Sequence, residues 1–149
     1  MGEELHMLSR LNEETKVFHA EADAEIDRYL LREPTTVSGY RTFLTRLYGF
    51  LIPFEAALSD TPGLVGLIDV RARSTASLVV RDLFALGLTG TAVGALPQCE
   101  CIPSFRGPAQ ALGWMYVVER PLLANGVLKR HLSGPLAAEM ACASAYLSC

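Results

Sequence analysis

Apolar residues recur at steps of three and four along most of this chain, and no stretch alternates strictly at period two, so the pattern predicts an all-α fold. Leu11, Thr15, Phe18, Ala22, Ile26 and Tyr29 form one stripe of a first helix over about residues 9–32. That helix ends at Glu33-Pro34, because the residue before proline disfavours helical backbone. Thr36 or Ser38 then caps a second helix with the stripe Tyr40, Phe43, Leu44, Leu47, Tyr48, Leu51, Phe54 and Leu58. Pro53 inside it predicts a kink, and Ser59-Asp60-Thr61-Pro62-Gly63 predicts its end. A short helical piece over 64–69 and a third long helix over 74–86, closed by Gly87, follow. Residues 89–108 read as loop.

The next segment, 109–120, is apolar nearly all round, which predicts a buried helix. Pro121 interrupts it, and 122–132 resumes after the break. Ser133-Gly134-Pro135 breaks the chain again before a last apolar helix over 136–147. The chain stops at Cys149 just after that helix, which predicts either a missing C-terminal segment or a covering partner, for instance a second copy forming a homodimer through the C-terminal helix. With 149 residues and no linker or repeat, residues 1–149 read as a single domain.

Composition narrows the function classes. Half of the residues are hydrophobic, 19% are charged and mean hydropathy is +0.26, so wide buried faces, a ligand cavity or an oligomer interface are expected. A net charge of −3 gives a nucleic-acid partner no electrostatic support. The longest weakly polar stretch, 83–97, is too short and glycine-broken to span a bilayer, so no membrane partner is expected. The acidic N-terminus lacks an apolar signal core, and Gly2 lacks a myristoylation context. Cys99, Cys101, Cys142 and Cys149 have no zinc spacing, so we expect reduced thiols and a cytoplasmic protein.

The motifs that carry most enzyme chemistry are missing: no phosphate loop, no G-x-S-x-G, no H-E-x-x-H and no C-x-x-C. Three histidines are too few for a multi-histidine metal cage. His19 stands at the edge of the first stripe, with Asp23 one turn later. A carboxylate there can hold one ring N–H while the other nitrogen faces a cavity, the arrangement a metal-ligating histidine needs. The same pair also reads as a solvated i,i+4 contact on a surface helix. A single imidazole beside a large apolar slot suits haem better than a metal cage.

Thr15-Lys16-Val17-Phe18-His19 with Asp23 resembles the proximal helix of haem oxygenases. Three further blocks agree in order. They are Tyr40-Arg41-x-Phe43-Leu44-x-x-Leu47-Tyr48-Gly49-Phe50 with Pro53-Phe54-Glu55, then 73–87 with Asp82-Leu83 and Leu86-Gly87, then Ala111-Leu112-Gly113-Trp114-Met115-Tyr116-Val117-Val118-Glu119. The resemblance implies a haem oxygenase-like helical bundle, with b-type haem as both cofactor and substrate and His19 on the iron. It implies cleavage of haem to biliverdin, carbon monoxide and ferrous iron, with electrons from an external ferredoxin or reductase. Asp23 would orient His19 in the haem site, and Lys16, Tyr116 and Arg120 would contact the haem, Lys16 and Arg120 through its propionates. Lys16 also reads as simply exposed, Tyr116 as core, and Arg120 as a filler of the haem space.

The distal helix departs from the family pattern Gly-Ser-x-Leu-Gly-Gly. Arg120 stands for the first glycine, Pro121 for the serine, and Ala124-Asn125 for the glycine pair, with Gly126 one position beyond. Those family glycines let backbone approach the haem face, where a Cβ would not fit. Asn125 and Gly126 are therefore the candidate catalytic residues: Asn125 as hydrogen-bonding partner of a distal water or as a turn residue, Gly126 as the displaced close approach. The departures favour a second reading, a non-catalytic relative that binds haem, another tetrapyrrole or a partner protein. A helical interaction module without a ligand is a third.

Overall fold

The computed structural model describes the backbone of residues 2–149, and the side chains of all of these except 2–5, 7, 8, 11, 12, 18, 19, 22 and 25. Among the described residues every regular element is helical. Helix α1 spans Gly2–Ile26 and continues as one π-helical turn, Asp27–Leu31. It ends where Arg32 turns extended, two residues before Pro34. Helix α2, Val37–Ser59, begins at Thr36, whose hydroxyl accepts from Gly39 N at 3.0 Å. That bond satisfies one of the amide groups left open at a helix start. The stripe read from the sequence is the core stripe: Tyr40, Leu44, Tyr48, Leu51, Phe54 and Leu58 are all buried.

Pro53 does not end α2. Proline has no N–H, so the carbonyl of Gly49 loses its helical partner. The backbone N–H of Cys99 takes that carbonyl at 2.9 Å. The approach is possible because residue 49 is glycine: a Cβ there would collide with the Pro97 carbonyl oxygen. Proline and glycine together turn a helix defect into a dock for the 97–99 segment.

Glu55 on α2 sets the start of α3, Ala76–Ala85. Its carboxylate accepts from Ser74 Oγ at 2.7 Å and from the backbone N–H groups of Thr75 and Ala76, both at 2.9 Å. A carboxylate at a helix N-terminus meets open N–H groups and the positive end of the helix dipole. Gly87 (φ +89°) closes the turn that follows α3. The expected short helix over 64–69 is a pair of turns instead, entered through Gly63 at φ +77°. Within the segment expected as loop, Thr89 caps a five-residue helix α4, Gly90–Gly94.

Helix α5, Pro108–Glu119, gives way at Pro121 to a 3-10 turn, Arg120–Ala124, before α6, Asn125–Leu132. Its expected burial is corrected. Only Ala111 and Met115 are buried, while Leu112, Tyr116 and Val117 are exposed, as is Leu123 in the turn.

The last helix is also corrected. It splits into α7, Ala137–Cys142, and a 3-10 turn, Tyr146–Ser148. The break lets the chain reach Asp82, which is fully buried on α3. The Asp82 carboxylate accepts from Ala145 N at 2.7 Å and Tyr146 N at 2.9 Å. Tyr40 OH donates to Ala143 O at 2.8 Å, and Asn125 Nδ2 donates to Tyr146 O at 2.9 Å. Burial, and then the Asp82 carboxylate, raise the Tyr40 phenol above its ordinary range. Burial, and then Cys149, push Tyr146 up to about 12. Leu136, Met140, Tyr146 and Leu147 all point into the core. The large apolar side chains of the C-terminal segment are therefore taken up by the core of the same chain.

Candidate functional site

The break between α5 and α6 opens a cavity of about 860 Å³ against α2 and the end of α1. This is the upper part of the size range of small-molecule and cofactor sites, roughly 300–1,000 Å³. Its α2 wall is Phe43, Leu47, Phe50, Leu51, Phe54 and Leu58, which lie on the side of the stripe that faces the break. Asp23, Ile26 and Leu31 close it from α1 and the π turn. Met115, Val118, Pro121, Leu122, Ala124 and Leu128 form the wall contributed by α5, the 3-10 turn and α6. Behind Phe54, Trp114 and Phe105 pack as an aromatic cluster, with Trp114 6.4 Å from the Phe54 ring and 5.6 Å from the Phe105 ring. Trp114 is thus a wall support.

Few polar groups reach this apolar space. Arg73 and Glu119, both half-exposed, hold each other at its edge through two contacts of 2.9 Å. The pair ties the segment before α3 to the end of α5, and Arg120 stands next to it on the wall. A forked guanidinium suits carboxylates in such a position. Tyr146 closes the floor, held by Asp82 and Asn125 as described above.

The expected site residues divide. Asp23 and Arg120 border the cavity. The side chain of His19 lies outside the described residues, one helical turn before Asp23 on α1. Lys16 is exposed and does not line the cavity. Tyr116 is corrected: it is 60% exposed and lies off the cavity wall, because α5 turns that face to solvent. Asn125 borders the cavity, and one N–H of its amide donates to Tyr146 O. Gly126 is corrected as a close-approach point: it is exposed, lies off the wall, and nothing stands within 4 Å of a Cβ built there.

The sequence reading missed Arg73, Glu119 and His131. His131 ends Lys129-Arg130-His131, the longest basic run in the chain. The signal for it is the spacing Ala124, Val127, Leu128, His131, which puts four cavity-lining residues on one face.

Among the described residues no group of three or more His, Cys, Asp and Glu side chains could hold a metal ion. The four cysteines are unpaired. No described helix is long and apolar enough to cross a membrane. The chain matches no protein-family model, no curated protein and no solved structure. Haem fits what is present in kind: a large apolar slot, an arginine-lined edge, and an imidazole on its wall.

Proposed function

We propose that this protein binds haem, or a tetrapyrrole of the same shape, in the cavity beside the α5–α6 break. The observation that carries this reading is an apolar space of about 860 Å³ between the end of α1 and the interrupted distal helix, where the resemblance to haem oxygenases would put haem. Phe43, Leu47, Phe50 and Leu122 would bury the macrocycle. Arg120 would meet the carboxylates, beside the Arg73–Glu119 pair, and His19 would supply the imidazole of the proximal side. Bound haem would bring an iron centre able to change redox state.

The same geometry favours binding over cleavage. Ring opening on the pattern of the resembled family needs a close backbone approach and a free hydrogen-bonding group on the distal side. Here Ala124 carries a Cβ on the wall, Asn125 holds the C-terminal segment, and Gly126 lies off the wall. A cytoplasmic haem carrier or sensor fits this better than a biliverdin-forming enzyme, and an external electron donor is needed only by the latter. Haemin titration of the full chain tests the reading. A Soret band saturating at one equivalent, with no biliverdin band after ascorbate or a reductase, is expected. No Soret band overturns it, and a biliverdin band restores the enzymatic alternative.

A further inference from the structure

We infer that His131 is an axial iron ligand, supplied from α6, for the porphyrin proposed above; the inference rests on that reading. Among the described residues His131 is the one imidazole on the cavity wall, since His6 is exposed on α1 and does not border it. It shares its face with Ala124, Val127 and Leu128, so the turn of α6 that forms the wall also carries the ring. None of the hydrogen bonds or ion pairs among the described residues engages that ring. The neighbouring polar groups are otherwise occupied: Asn125 bonds Tyr146 O, Lys129 bonds Ser148 Oγ, and Arg73 bonds Glu119. His131 is exposed and packs no core, so stability gives no reason for an imidazole at this place. An apolar slot with an uncommitted imidazole on its wall is what an iron porphyrin requires. An imidazole from α6 together with one from α1 would fill both axial positions and leave none for dioxygen.

The test uses the full chain, haemin as probe, and the variants His131→Ala and Arg130→Ala. Because His131 is exposed, His131→Ala should melt at the parent temperature. The parent is expected to give a low-spin ferric spectrum. His131→Ala should shift the Soret band and the electron paramagnetic resonance signal towards high spin. It should also weaken haemin binding by more than the roughly tenfold that loss of an outer hydrogen-bonding partner costs a metal site. Free imidazole should restore the parent spectrum, which a purely structural role would not allow. Arg130→Ala, on the same turn, should leave the spectrum unchanged. If His131→Ala binds haemin with parental spectrum and affinity, the assignment is wrong while the haem reading stands. If the parent itself gives no Soret band, both fall.

Discussion

Replacing Asp82 by alanine should cost more stability than any other single polar change among the described residues. Asp82 is fully buried and accepts from two backbone N–H groups, those of Ala145 and Tyr146. The substitution leaves both donors without partners in the interior, at about 1–3 kcal/mol each, so about 2–6 kcal/mol in all. A domain of this size has only about 5–15 kcal/mol to lose. Asp82→Asn keeps one acceptor oxygen and should cost about half as much. Urea unfolding followed by far-ultraviolet circular dichroism reads both values. The slope with denaturant should be unchanged if the native state stays compact. The loss should reach the site as well, because Asp82 holds the backbone of Tyr146, which floors the cavity. Haemin affinity of Asp82→Asn should therefore fall even under conditions where it remains folded. If Asp82→Ala lies within about 0.5 kcal/mol of the parent, the range of an ordinary surface change, the clamp does not hold the C-terminal segment.

Gly49→Ala should destabilise by about 1–3 kcal/mol, the usual cost of forcing extra volume into packed structure, since its new methyl meets the Pro97 carbonyl; an unchanged melting temperature would refute the dock. Alkaline unfolding should be early. Tyr40 and Tyr146 keep their protons in the folded state beyond the pH near 10 at which an unfolded tyrosine loses its own, Tyr146 up to about 12. The folded form then binds more protons than the unfolded one, so stability is fully present below pH 10 and falls as pH rises towards 12. Denaturant midpoints measured from pH 8 to 11.5 should show that decline, with a shallower slope for Tyr40→Phe; a flat profile would refute it.

Local chemistry was legible in the sequence. The Thr36 cap and the breaks at Pro34 and Pro121 depend on one residue and its nearest neighbours, and the structure has them where the pattern put them. Two other features depend on distant partners. The exposure of Leu112, Tyr116 and Val117 reflects what does not pack on α5, which periodicity cannot report. The split of the last helix reflects a buried carboxylate more than sixty residues away that competes for the amides of Ala145 and Tyr146. The missing N–H of Pro53 was visible in the sequence, while the amide of Cys99 that serves the freed carbonyl was not. For the site, the spacing drew attention to α1 and to the motif around Ala124. It did not draw attention to His131, or to the pairing of Arg73 with Glu119 across forty-six positions.

The claim on which the account depends is that a ligand occupies the space beside the α5–α6 break. Ala124 borders that space, is exposed, and packs no core, so Ala124→Phe can fill it without disturbing the fold. Haemin titrated into parent and variant, followed by quenching of the single tryptophan, Trp114, and by the Soret band, compares the two directly. The parent should bind stoichiometrically, and the variant about tenfold or more weaker (about 1.4 kcal/mol) at an unchanged melting temperature. Equal haemin affinity in the two proteins would contradict it.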